Sequence, residues 1–186
     1  HYATSGFVDQ NSAVGPFQDW NCGARFFDQP PGTDIFTWPY GWLSMDLSRL
    51  EAIAAAPGTI LVRADGNFDR SCAAGGGNAN LVVVQHADGS TAVYVHFKNG
   101  SVTPKQVGEP VATGEYLGVV GSSGSSTGPH LHFEVHDSGT YPGPLLDPYD
   151  GVCEALTLAS LWTEQPAYRQ PTINHASTGF AAPLLP

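Results

Sequence analysis

The stretch 80–97, NLVVVQHADGSTAVYVHF, constrains the fold of this chain more than any other segment. Two runs rich in β-branched residues, at 81–86 and 91–97, flank the turn formers Asp88-Gly89, the pattern of an antiparallel hairpin. Further strands are expected at 34–38, 59–64, 109–112, 116–120 and 131–136, separated by turn residues at the spacing of a sandwich or open sheet.

With 22 Gly, 15 Pro and only 13% charged residues, the composition favours short strands joined by turns over long helices. Helix is expected only as one or two turns within 45–53 and one turn near 156–162. The length of 186 residues suits one domain. The fold class is therefore mainly β, a compact antiparallel sheet or sandwich with long irregular loops and little helix. Residues 1–33 are an irregular lead-in packed on the domain, 34–150 the β domain, and 151–186 a covering extension. The glycine patch at 73–80, AAGGGNAN, is a loop that lacks the lysine and following helix of a phosphate cradle.

Seventeen acidic against seven basic residues leave a formal charge of -10, which repels phosphate backbones and anionic membranes, so no nucleic-acid partner is expected. No run approaches the roughly 20 apolar residues that span a bilayer, so no membrane insertion is expected either. Cys22, Cys72 and Cys153 show no C-x-x-C spacing, which disfavours a cysteine metal site and leaves one disulfide and one thiol, with the pairing open. That usage, with few lysines and Trp/Tyr-rich loops, suits an exported protein, secreted, extracellular or periplasmic. Asn99-Gly100-Ser101 is also a glycosylation sequon if the source is eukaryotic.

Chemistry concentrates in 121–136, GSSGSSTGPHLHFEVH. In a strand, residues two apart share a face, so His130 and His132 project side by side, with Leu131, Phe133 and Val135 on the opposite face. Imidazoles so placed can reach one metal, or a metal and its substrate. His136, beside Asp137, is expected to be exposed, and His86 and His175 to be structural. In the hairpin's second strand the same alternation puts Tyr94 and His96 on one face and Val95 on the other.

TGPHLHFEV at 127–135, YVHF at 94–97 with the HADGS turn before it, EYLGVVGSSG at 115–124 and GTD at 32–34 resemble the lysostaphin/LytM-type zinc metallopeptidases, in order from about residue 19 to 148. The resemblance implies a compact antiparallel β fold with a groove over the sheet and endopeptidase action on peptidoglycan cross-link peptides or glycine-rich proteins. It further implies zinc ligands at Asp34 and His132, catalytic unliganded histidines at His96 and His130, and a substrate-binding aromatic at Tyr94. In such a site a zinc-bound water is deprotonated near neutral pH and attacks the peptide carbonyl, while neighbouring imidazoles take its proton and hold the oxyanion.

One position departs from the pattern. The segment that should read H-x-G-x-D reads Pro30-Pro31-Gly32-Thr33-Asp34, and proline has no side-chain donor atom. A catalytic zinc takes three protein ligands, so three readings stay open. The domain is a pseudoenzyme that binds wall peptides or a protein partner, or an enzyme whose third ligand comes from His1, Asp28 or Gln29, or a structural module on an inherited fold. Separately, Asp65, Asn67 and Asp69 repeat the alternate-oxygen spacing that opens calcium loops, against the simpler reading of a solvated turn.

Overall fold

In the computed structural model, the hairpin forms as expected and sits near the middle of a long antiparallel sheet. The structure describes residues 2–10, 18–25, 32–138, 141–153, 156 and 159–169. Among these, the elements in chain order are β1 (Tyr2–Gly6), β2 (Thr33–Thr37), α1 (Gly41–Asp46), β3 (Glu51–Ile53), β4 (Gly58–Ala64), β5 (Leu81–Gln85), β6 (Thr91–Val95), β7 (Pro110–Val111), β8 (Tyr116–Val119), β9 (His130–His136) and β10 (Leu145–Leu146). The main sheet runs β1-β2-β9-β6-β5-β4-β7, β10 also pairs with β9, and β3 with β8 forms a second, two-stranded sheet. The chain thus adopts a mainly antiparallel β fold, with a single six-residue helix among the described residues.

One face of the main sheet carries the core. Val82, Val84, Ala92, Tyr94, Phe133 and Val135 project there and meet Ala52 of β3 and Leu117 of β8, so the small sheet covers the large one. Burying each of the larger apolar side chains stabilises the fold by about 1.5–3 kcal/mol. The approach is close at Gly118, where a Cβ would stand 2.9 Å from the ring of the fully buried Phe97.

A second, aromatic core joins the start of the chain to its later part. The Trp20 and Tyr149 rings stack at 5.5 Å, Phe7 meets both edge-on, and Trp162 and Tyr168 pack against the group. Asp19, fully buried, accepts bonds from the backbone N–H groups of Asn21, Gly23 and Arg25 and from the Tyr168 hydroxyl. A Cys22–Cys153 disulfide fastens the same region and leaves Cys72 as an exposed free thiol.

Several local expectations are corrected. Residues 2–6, within the expected irregular lead-in, form a strand because β2 offers an open edge: Tyr2 pairs with Thr37 and Thr4 with Ile35. The helix lies at Gly41–Asp46 rather than within 45–53, since Glu51–Ile53 is drawn into pairing with β8. Near 156–162 the described residues contain bends and no helix. No helix among the described residues is long and apolar enough to cross a membrane.

Candidate metal and catalytic site

Across β2 and β9 the register pairs Asp34 with His132 and Phe36 with His130, which puts these four side chains on the face opposite the core. His132 Nδ1 lies 2.8 Å from Asp34 Oδ1, and His130 Nε2 stands 3.6 Å from the same oxygen. The early carboxylate and the late imidazoles therefore converge. The row continues along β9: His132 Nε2 bonds Glu134 Oε1 at 2.8 Å, and Glu134 Oε2 bonds His136 Nε2 at 2.7 Å.

Held between two carboxylates, His132 is a stabilised imidazolium. Burial opposes its charge, yet the bonds to Asp34 and Glu134 outweigh burial and push its pKa up to about 9. Asp34 is the counterpart: burial would raise its pKa, but the bond from His132 and the nearby imidazoles hold it below the usual carboxylate value. For Glu134, burial is likewise outweighed by the bonds from His132 and His136, and its pKa is lowered.

His96 reaches this site by an unexpected route. β6 ends at Val95, which pairs with His132, and His96 then adopts a left-handed backbone with φ 73°. That turn cancels the strand alternation and brings its ring to 4.6 Å from His130 and 5.8 Å from His132, centroid to centroid. Its Nδ1–H donates to the Ser123 carbonyl at 2.7 Å, which leaves Nε2 with a free lone pair. Burial, reinforced by His130, lowers its pKa to about 4, so the ring is neutral across the physiological range. His130 is oriented in the same manner, its Nδ1–H donating to the Gly128 carbonyl at 2.8 Å. The Gly/Ser-rich loop thus cradles both rings, with Ser122, Ser123 and Ser126 buried and Ser122 Oγ donating to the Ser71 carbonyl at 2.7 Å.

Two expectations fail here. Tyr94 does not share a face with His96: it pairs with Phe133, is 2% exposed in the core, and its hydroxyl accepts a bond from Ala55 N at 2.9 Å. It therefore does not line the groove, and burial pushes its pKa up to about 12. His136 is 5% exposed rather than solvent-facing, because the turn ahead of β10 covers it and the Gly143 carbonyl accepts its Nδ1–H. Glu134, not singled out in the sequence, links these histidines, and its place two residues from both on an alternating strand is the signal that points to it. His86 Nδ1 bonds the Pro57 carbonyl and lies away from the cluster.

Among the described residues, the donor set falls short of a catalytic zinc site. Asp34 and His132 point at each other, and Glu134 behind His132 is the kind of supporting carboxylate that a ligand histidine uses. Among the described residues, however, no group of three His, Cys, Asp or Glu side chains could hold a metal ion. Pro30, His1, Asp28, Gln29 and His175 lie outside the described residues. Asp34 and His132 thus give two protein donors among the described residues, and a catalytic zinc takes three. The calcium expectation is not supported either: Asp65 Oδ1 accepts from Gly66 N and Gly100 N, Asp69 Oδ2 accepts from Asn99 N, and Asn67 donates to the Ala79 carbonyl. These side chains brace turns instead of converging on an ion.

Beside the histidines, a cleft of about 290 Å³ is lined by Asp34, Phe36, Trp42, Gly128, Pro129 and His130, among others. Residues 48–144, more than half of the chain, match the profile of the family described as peptidase family M23. The chain belongs to peptidase family M23. An uncharacterized metalloprotease of Haemophilus influenzae is 32% identical over 100 residues, covering 54% of this chain and 20% of that protein. The peptidoglycan DD-endopeptidase ShyC of Vibrio cholerae is 34% identical over 67 residues, 36% of this chain and 15% of that protein. The chain therefore spans a fifth or less of these curated relatives. The catalytic domain of the prophage-encoded M23 protein EnpA from Enterococcus faecalis superposes with a TM-score of 0.52 at 23% identity, covering 79% of this chain and 88% of that one, which shows the shared M23 fold. Asp34 lies upstream of the matched residues, and it is the β2–β9 register that ties it to the M23 histidines.

Proposed function

We propose that this M23 domain recognises peptidoglycan cross-link peptides in the cleft beside His130 and does not hold the zinc that hydrolysis needs. The observation carrying this reading is the direct Asp34–His132 bond, two donors closed on each other, next to a segment whose first ligand position is Pro30. Phe36, Trp42 and Pro129 supply apolar walls for an extended peptide, and the His130 imidazole beside them, with the His96 ring 4.6 Å away, supplies a polar contact for its backbone. Peptidoglycan is favoured over glycine-rich proteins because a relative is named for it. Export agrees with the Cys22–Cys153 disulfide, which persists only in an oxidising compartment.

A second reading, a working hydrolase, is favoured by one observation: the Nδ1–H groups of His96 and His130 are held by the Ser123 and Gly128 carbonyls, which leaves Nε2 of each ring available for proton transfer, as a general base needs. One experiment separates the two. Purified protein is loaded with zinc, dialysed, assayed for metal, and incubated with purified cell-wall sacculi while peptide release and co-sedimentation are followed. Well under one zinc per chain, no release and retention on sacculi are expected, with zinc and release gained in Pro30→His. Stoichiometric zinc with chelator-sensitive release by the unaltered protein overturns the binding reading.

A further inference from the structure

The segment 35–45, IFTWPYGWLSM, holds no charged residue in a chain whose acidic groups outnumber its basic ones 17 to 7. It spaces four aromatic residues two apart, Phe36, Trp38, Tyr40 and Trp42. Phe36 and Trp42 line the cleft, whereas Trp38 is 60% and Tyr40 68% exposed. Large rings so displayed cost solvation and mark a binding surface when they are contiguous. Contiguity is given by the Phe36 and Trp38 rings, which meet edge-on with centroids 6.4 Å apart, so the shelf begins one ring away from the cleft. Arg70 lies over Trp42 at 5.3 Å, and its charge is neutralised by Asp46 at 2.6 Å.

We infer that this aromatic shelf binds the glycan strand of peptidoglycan, a neutral chain of β-linked N-acetylhexosamines. The inference rests on the peptide-recognition reading above. A hexopyranose presents C–H groups on its flat faces and hydroxyls at its edges, which suits stacking on an amphipathic Trp or Tyr ring. Neutrality matches the ligand to the site: an anionic surface is repelled by the net charge of -10, and a cationic peptide would find no carboxylate within 35–45. Covalent connection adds to this, since a stem peptide seated against His130 and Phe36 is tethered to sugars, and the shelf starts at Trp38, whose ring meets Phe36. Sugars bound there add a second attachment to the same polymer.

The test uses the whole chain, a soluble β-linked N-acetylglucosamine oligomer as probe, and a free stem peptide as a separate probe. Oligomer binding is read by tryptophan fluorescence and by perturbed indole resonances in Trp38→Ala, Tyr40→Ala and the double variant. Expected is saturable binding that weakens by at least about tenfold in the double variant, as for other aromatic anchors, with the urea midpoint and peptide binding unchanged. Absence of oligomer binding while the stem peptide still binds overturns the shelf and leaves the peptide reading intact. Oligomer binding without peptide binding supports the shelf and sinks the peptide reading instead. Overturning results are also Trp38-dependent retention on neutral phosphatidylcholine vesicles, or Trp38-dependent self-association in sedimentation, since either assigns the rings to a different occupant.

Discussion

Asp34 and His132 face each other across the β2–β9 register, Oδ1 to Nδ1 at 2.8 Å, and the second nitrogen of His132 is held by Glu134. Removing one carboxylate leaves a buried imidazolium half satisfied. Asp34→Asn should therefore lower unfolding free energy in urea at neutral pH by about 1–3 kcal/mol. The exposed pair of Asp46 with Arg70 serves as the control, and Asp46→Asn should leave the midpoint unresolved from the parent. Equal midpoints for both variants would remove Asp34 from the packed site.

The Tyr94 hydroxyl makes a different kind of buried contact, accepting from Ala55 N while its ring packs on Phe133. Its pKa rises from 10.0 to about 12, chiefly by burial, so the neutral phenol is the form that folding favours. That contribution is complete below pH 10 and is lost as pH climbs through about 12. Phenolate absorption should show a component ionising near pH 12 that disappears in Tyr94→Phe. The variant should also lose about 1 kcal/mol through the orphaned Ala55 N–H.

His132 and Tyr94 mark how far strand alternation alone carries from sequence to site. The β9 face of His130 and His132 follows from strict alternation, and so does the opposite face of Leu131, Phe133 and Val135. Alternation misplaces Tyr94 because one left-handed residue, His96, rotates the chain at the strand end, and histidine signals such a backbone only weakly. His136 escapes for another reason: its cover is the Gly143 carbonyl, brought in by β10 pairing that a two-residue strand cannot announce. Asp34 is legible only by resemblance, since 98 residues separate it from His132 and no local pattern records that distance.

Close packing makes Gly118 a sensitive position. A methyl group there meets the Phe97 ring, which is fully buried beside the backbone of His96, and has no open side to move toward. Gly118→Ala should cost about 1–3 kcal/mol by overpacking, read as a lower urea midpoint at unchanged slope. Gly114→Ala is the contrast: nothing lies near its Cβ, so any loss there reports only the positive φ of 77°.

Thiol titration checks the covalent arrangement. The folded protein should react with one equivalent of maleimide at Cys72, and denaturation with a reductant should raise this to three. Replacing both Cys22 and Cys153 by serine should lower stability by about 2–5 kcal/mol, because the bridge closes a separation of 131 residues in the unfolded chain. An unchanged midpoint would mean that the aromatic cluster alone fastens the two ends.

That bridge has a consequence for wear. Strands β2 to β10 all lie between Cys22 and Cys153, so the peptide backbone and the sulfur link together form a closed hoop that carries every described strand but β1. A protease that nicks an exposed loop such as the glycine patch at 73–78 opens the hoop without parting it, and the two fragments travel as one particle until a reducing agent reaches them.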